Sequence, residues 1–325
     1  MIQVESILKS FGNTKAVDGI SFDVKEGENL VLLGASGCGK TTTLRMINRL
    51  IEPDGGKINI NWQDIRSQSP ETLRRNIGYV LQHNSLFPHY TVAENIAIVP
   101  MLLNWDKKRI ENRTIELLEK LNLSPDLHYN AYPNQLSGGQ QQRVNVARAL
   151  AANPPVLLMD EPFGALDPIT RSNIVKDFGD LDELKKKTIV MVTHDVQEAF
   201  EMGDRICIMD KGKIMQLGTP SELLFHPANS YVQSFLEKQQ LTLAYKTIKL
   251  DDISEEWESE VRKSEKENEI QISSNSSIWD AMEKINNEKD MNTIITIRNK
   301  NNQVKRASLN EILTAYSHLK NKLNK

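Results

Sequence analysis

Apolar positions along the chain fall into short runs separated by polar, glycine-containing turns, and the runs are of two kinds. Those at 30–33, 156–159 and 189–192 are continuously apolar, which predicts strands buried on both faces, as in a parallel sheet covered by helices. Those at 3–8, 20–24 and 57–60 alternate, which predicts a partly antiparallel β layer beside that core. Two more strands are expected at 78–81 and 206–209. Helical spacing runs through 40–50, 107–121, 138–152, 169–184 and 196–202, with Pro154 and Pro155 closing the third. The longest apolar stretch, 96–103, is too short to span a bilayer and is broken by Pro100, so no transmembrane span is expected.

The texture changes after Phe235. Residues 251–269 are charge-dense and free of glycine, which reads as a solvated helix or linker. Beyond them an amphipathic helix is expected at 277–286, a strand at 293–298 and a helix at 309–319. A chain of 325 residues suits one large domain and a smaller appendage, here 1–236, a charged linker at 237–270 and a C-terminal segment at 271–325. With 39% hydrophobic and 26% charged residues the composition supports an ordinary packed core. A formal charge of -3 removes the general electrostatic case for nucleic acid, so no nucleic-acid partner is expected. No basic segment leading into an apolar run precedes the first strand, so no secretory signal is expected. Cys38 and Cys207 lie far apart without ligand-like spacing, which fits a reducing compartment better than a zinc site or a disulfide.

Gly34, Ala35, Ser36, Gly37, Cys38, Gly39, Lys40 and Thr41 match the P-loop pattern, placed directly after a buried strand and before a helix. The glycines let successive backbone N–H groups turn inward onto phosphate oxygens, and the following helix adds its positive end. Lys40 would supply charge to the β- and γ-phosphates of ATP, Thr41 would place its hydroxyl on Mg²⁺, and Thr42 would be a neighbouring phosphate donor. The strand 156–159 delivers Asp160 and Glu161 at its end, where ligands bind in open α/β sheets. Alternation along a strand separates their tasks: Asp160 suits Mg²⁺, through water, and Glu161 suits polarising the attacking water.

Leu136, Ser137, Gly138, Gly139 and Gln140 resemble the signature sequence of ABC-transporter ATPases. The rest of that family's set is present in order within residues 1–236. Phe11 falls where an aromatic stacks on adenine, Gln82 follows a strand as the Q-loop glutamine does, Ala165, Leu166 and Asp167 match the D-loop, and His194 ends a strand like the switch histidine. The resemblance implies an α/β P-loop NTPase fold with an antiparallel β layer and a helical subdomain. It implies ATP hydrolysis in a head-to-tail dimer of two copies, in which Ser137 to Gln140 cap the γ-phosphate bound by the partner. His194 would contact the γ-phosphate. Gln82 would reach the metal and sense the γ-phosphate while coupling to an integral-membrane permease, with a substrate-binding protein engaged only indirectly.

The apolar, Pro-broken segment 86–92 is a plausible groove for a permease helix. Gly164 to Pro168 and Gln140 to Val144 look like bacterial uptake ATPases, which implies a peripheral protein on the cytoplasmic face of the inner membrane. Asn95 to Pro100 and Asp167 to Arg171 look most like the quaternary-amine uptake subfamily, whose solutes are glycine betaine, choline, carnitine or proline. The tail from Ser276 to Leu313 resembles a single degenerate CBS half, where the subfamily usually carries a tandem pair. An importer of another small solute fits the same motifs. A soluble ABC ATPase acting on DNA or ribosomes usually carries two cassettes or a coiled-coil insertion, and neither is visible. An exporter motor is disfavoured by the missing fused membrane domain.

Overall fold

A computed structural model describes residues 1–81, 86–257, 268–288 and 293–323 of the chain. It divides into two compact units, Met1–Leu217 and Gly218–Lys325. The first opens with β1 (Ile2–Phe11), β2 (Thr14–Val24), β3 (Asn29–Gly34), α1 (Lys40–Ile47), β4 (Gly55–Ile60), β5 (Gln63–Asp64), α2 (Pro70–Arg75) and β6 (Ile77–Val80). A helical stretch follows, α3 (Val92–Leu102), α4 (Lys107–Lys120), α5 (Pro125–His128) and α6 (Gly138–Leu150). The chain then re-enters the sheet with β7 (Val156–Asp160), α7 (Pro168–Asp180), α8 (Asp182–Lys185), β8 (Thr188–Thr193), α9 (Val196–Met202), β9 (Arg205–Asp210) and β10 (Lys213–Gly218).

The two kinds of apolar run form two sheets. The alternating runs build a four-stranded sheet in the order β2-β1-β4-β5, antiparallel throughout. The continuous runs lie in a six-stranded sheet ordered β10-β9-β3-β8-β7-β6, in which β3, β6, β7, β8 and β9 run parallel. Leu30 to Leu33 and Val156 to Met159 are fully buried. Alternate residues of the parallel strands, Leu30 and Leu32, Leu158, Val190 and Val192, share one apolar cluster with Ile2, Val4 and Ile20 of the antiparallel layer. Each such side chain taken out of water contributes about 1.5–3 kcal/mol, which fixes the register between the layers.

Two features depart from the sequence reading. The apolar run containing Pro100 is a helix, α3, that continues through the proline. Its start is secured by a reciprocal bond set in which Glu94 N–H donates to Thr91 Oγ1 and the Glu94 carboxylate accepts from Thr91 N–H, which offsets the single backbone bond that proline removes. The stretch 169–184 breaks into α7 and α8 at Leu181, whose extended backbone follows the weak helix formers Gly179 and Asp180.

The second unit carries α10 (Pro220–Phe225), α11 (Ser230–Glu237), α12 (Gln240–Thr247), α13 (Leu250–Ile253), β11 (Glu269–Gln271), α14 (Ile278–Glu288), β12 (Ile294–Arg298), β13 (Val304–Ala307) and α15 (Leu309–Leu323). Its sheet is β11-β12-β13, with β11 parallel and β13 antiparallel to the central strand. Within the expected linker, Leu243, Ala244, Leu250 and Ile253 are buried, and the backbone at 248–251 bonds to 274–278. The charge-dense residues 258–267 lie outside the described residues. Among the described residues no helix is long and apolar enough to cross a membrane.

Candidate functional site

Parallel register gathers the site. Strand β8 lies between β3 and β7, with Leu33 opposite Thr193 and Asp160 opposite Val192. The carboxyl ends of three strands therefore bring the loop after Gly34, the Asp160–Glu161 pair and His194 to one edge of the sheet. These residues are scattered over most of the first unit, and only the sheet order makes them neighbours.

The phosphate loop is shaped by close backbone approach. A Cβ at Gly39 would lie 2.3 Å from the Ala16 carbonyl oxygen, at a backbone φ of 106°, so no other residue fits there. A Cβ at Gly34 would lie 2.3 Å from the Met209 carbonyl and 2.8 Å from Cys38 Sγ. Helix α1 then begins without a side-chain cap and with no acidic residue in its first turn, which leaves its N-terminal N–H groups and positive end for an anion. Lys40 is buried, and its ammonium donates to the carbonyls of Gly34 at 2.8 Å and Ala35 at 3.0 Å. It is folded back on the loop, the position from which an incoming phosphate can recruit it. Cys38 is buried beside it, and burial pushes its thiol pKa up.

Thr41 Oγ1 donates to Asp160 Oδ1 at 2.8 Å, joining the loop to a strand end 119 residues away in sequence. Asp160 is buried, and burial raises its carboxyl pKa against the Thr41 hydrogen bond and the positive charge of Arg45. Burial and the Asp160 charge push Tyr79, on the neighbouring strand β6, up to about 12. Sequence reading missed Arg45 and Tyr79. Arg45 was findable, since it stands four residues after Thr41 on α1 and so on the same face. A hydroxyl and a carboxylate are hard oxygen donors of the kind Mg²⁺ takes while keeping several waters and phosphate oxygens, so these two residues fit that ion.

Glu161 departs from simple strand alternation. Strand β7 ends at Asp160, and Glu161 turns into left-handed backbone at φ 43°, held by its N–H on the Val192 carbonyl at 2.9 Å. A glutamate in that region costs on the order of 1–2 kcal/mol, and such strain persists where surrounding structure imposes it. The turn brings Glu161 Oε2 to 3.0 Å from His194 Nδ1. Behind His194, Asp195 caps α9 and faces the Arg171 guanidinium at 3.3 Å, while another nitrogen of that group donates to the Leu166 carbonyl next to Asp167. Asp167 itself caps α7 through Thr170 N–H, at 3.0 Å, and bonds from Thr170 hold its carboxyl below the usual range.

Ser137, Gly138, Gly139 and Gln140 open α6. The Gln140 N–H donates to Ser137 Oγ at 3.3 Å, and the Ser137 N–H donates to Gln140 Oε1 at 2.9 Å. Leu136 and Gly139 are buried, whereas Ser137 and Gly138 face solvent. Phe11, at the end of β1, is half exposed with the Lys9 ammonium 5.6 Å from its ring. Thr42 is partly buried in the first turn of α1. Gln82 lies outside the described residues.

Past them, Phe87 and Tyr90 are exposed with ring centroids 5.6 Å apart. Their loop is held by the fully buried Asn95, which accepts from Phe87 N–H at 2.8 Å and donates to the carbonyls of Phe87, Tyr90 and Thr91. A cavity of about 330 Å³ lined by Tyr79, Leu81, Phe87, Ile98, Val99 and Arg148 lies beside this loop. A cleft of about 750 Å³ lined by Trp105, Arg109, Arg113, Glu183, Lys186 and Lys187 contains none of the phosphate-loop residues.

Comparison with known proteins gives a consistent picture. The family described as ABC transporter matches residues 17–164. The chain is 50% identical over 242 residues to the Glycine betaine/carnitine/choline transport ATP-binding protein OpuCA of Bacillus subtilis, covering 74% of this chain and 63% of that protein. It is 48% identical over 261 residues to the Osmoprotectant import ATP-binding protein OsmV of Salmonella typhimurium, covering 79% of this chain and 68% of the relative. The Glycine betaine uptake system ATP-binding protein YehX of Escherichia coli is 48% identical over 74% of this chain and 78% of its own. The chain thus spans less than two thirds of the Bacillus protein. Among solved structures, the dimeric post-hydrolysis state of the ATP-binding cassette MJ0796 bound to ADP and Pi matches with TM-score 0.60 and 34% identity, over 67% of this chain and 98% of that one.

Proposed function

The chain belongs to the ABC transporter ATP-binding family, and from that premise we propose that it is the ATP-hydrolysing subunit of an import system for quaternary-amine osmoprotectants. The observation that carries the chemistry is the Thr41–Asp160 hydrogen bond, which joins an uncapped helix N-terminus and a buried lysine to a carboxylate at a parallel strand end. The names of the OpuCA, OsmV and YehX relatives support the solute class.

In this reading Lys40 exchanges the carbonyls of Gly34 and Ala35 for the β- and γ-phosphate oxygens of ATP, and the N–H groups of the loop and of α1 take the remaining charge. Thr41 and Asp160, with Gln82, would hold Mg²⁺, whose charge neutralises the phosphates when it is bound. Glu161, oriented by His194, takes a proton from the attacking water, a contribution of about 10²–10⁴ in rate. His194 also faces the γ-phosphate, and Phe11 stacks on the adenine. Ser137 and the first N–H groups of α6 cap the γ-phosphate held by a second copy, and Asp167 lies at that interface. The similarity to a cassette solved as a dimer with ADP and Pi supports the two-copy arrangement.

Phe87, Tyr90 and the adjoining cavity offer an apolar seat for a permease helix at the cytoplasmic face of the membrane. The strand and helix order of 269–323 supports a CBS-like half in the tail, serving regulation or dimerisation. The test is uptake of radiolabelled glycine betaine in a deletion strain. Restoration by this chain with its permease supports the reading, and uptake of a different solute class in its place would leave the importer and discard the amine.

A further inference from the structure

We propose that His128 is a positioning residue that fixes the Gln140 amide and, through it, the Ser137 end of α6 on a nucleotide bound by the partner subunit. The inference rests on the head-to-tail dimer reading above. His128 closes α5, and its Nδ1 lies 2.9 Å from the Ser124 carbonyl. A carbonyl only accepts, so Nδ1 carries a ring proton, and in the tautomer protonated there Nε2 is the acceptor. That Nε2 lies 3.2 Å from Gln140 Nε2, which donates to it.

The consequence is a fixed amide. With its NH₂ end committed to His128, Gln140 presents Oε1 to the Ser137 N–H, at 2.9 Å. Reversal of the amide would set two acceptors against each other at His128 and two donors against each other at Ser137. Gln140 therefore has one orientation, and the reciprocal Ser137–Gln140 cap has one geometry. Without the imidazole the amide is free to rotate, Ser137 N–H loses a unique partner, and the exposed first turn of α6 no longer presents its hydroxyl and N–H groups in a set direction. Gln141 does not replace this function, since its Nε2 donates to the carbonyls of Pro133 and Leu136 on the other side of the loop.

The same short segment ties the signature to the docking loop. The Tyr129 carbonyl accepts from Ala93 N–H at 3.0 Å, and the Ala131 carbonyl accepts from Val92 N–H at 2.8 Å. These are the first two N–H groups of α3, which have no partner inside the helix. Helix α3 is also the one whose Asn95 holds the Phe87–Tyr90 loop. A continuous run of hydrogen bonds thus leads from the exposed aromatic loop, through the start of α3 and the 128–131 backbone, to His128, Gln140 and Ser137.

The test uses the full chain in a Glu161→Gln background, so that ATP binds and is not turned over. His128→Ala is expected to leave the affinity of the monomer for a fluorescent ATP analogue within about twofold while weakening ATP-dependent dimerisation about tenfold, the loss of one to two hydrogen bonds. His128→Gln places an amide oxygen as many bonds from Cβ as Nε2 stands, and it is expected to recover most of the dimerisation. Dimerisation of His128→Ala equal to the parent's overturns the proposal. So does a His128→Gln variant as impaired as His128→Ala, or a fall in monomer affinity in step with dimerisation, since either means a merely structural role. A Glu161→Gln parent that stays monomeric with ATP overturns the dimer reading and this inference with it.

Discussion

Two helices of this protein begin with glycine-containing turns, and they begin differently. Helix α1 has no side-chain cap, no acid in its first turn and a buried lysine folded over the loop before it. Helix α6 starts on an exposed serine whose hydroxyl already accepts from the third N–H of the helix. In the proposed reading the first is an anion site finished by its own chain, with Asp160 and Glu161 brought beside it by the sheet. The second presents Ser137 and Gly138 to solvent, which suits one half of a site shared with a second copy in that reading. If that reading holds, identical backbone physics, a positive helix end, serves chemistry where the surrounding strands supply a base and recognition where they do not.

The comparison breaks most sharply at Glu161. Glu161→Gln is expected to lower steady-state phosphate release about 10²–10⁴-fold while nucleotide affinity is retained, because the charge-bearing part of the cradle is untouched. Turnover at the parent's rate would move the base elsewhere and erase the distinction between the two helix ends.

A smaller effect is expected on the α6 side. A Cβ at Gly139 would lie 3.0 Å from Ile174 Cδ1 and Thr170 Cγ2, side chains of α7. Gly139→Ala is therefore expected to lower stability to thermal or denaturant unfolding by about 1–3 kcal/mol as α6 and α7 separate slightly, with little change in nucleotide affinity of the monomer. An unchanged midpoint would show that the two helices are not tightly seated.

The smallest effect lies away from both helix starts. Burial alone would raise the Glu183 carboxyl, but bonds from Lys120 and Arg113, at 2.8 and 2.6 Å, outweigh it and hold the group at about 2. Because the folded pKa is depressed from 4.5, this stabilisation is present above about pH 4.5 and is lost as pH falls toward 2. Glu183→Gln is expected to cost about 1 kcal/mol near neutral pH and to flatten the acid limb, so that parent and variant converge at the acid end. Parallel stability curves would place the pH sensitivity in other carboxylates.

Much of the site was legible because its signals are local. The phosphate loop is eight consecutive residues between a buried strand and a helix, and the α6 start is five. The strands were legible from alternation against continuity, which tracks burial on one face or two. What escaped had competing local signals or distant causes. Pro100 interrupts the apolar run 96–103, and the Thr91–Glu94 bonds and tertiary burial sustain a helix through it. Helices α2, α5, α10 and α13, of four to six residues, are too short to give a periodic signal. The left-handed turn at Glu161 has no glycine to announce it.

By itself the sequence determined where a glycine-rich loop joins a buried strand to a helix, which carboxylates stand at a strand end, and to which family the motifs point, since each of these is a statement about neighbours along the chain. Only the tertiary structure decided that Thr41 meets Asp160, that Glu161 swings onto His194, and that His128 holds Gln140. Those contacts depend on strand order, register and helix seating. Such features follow from the burial of all the apolar faces together and are written in no single segment.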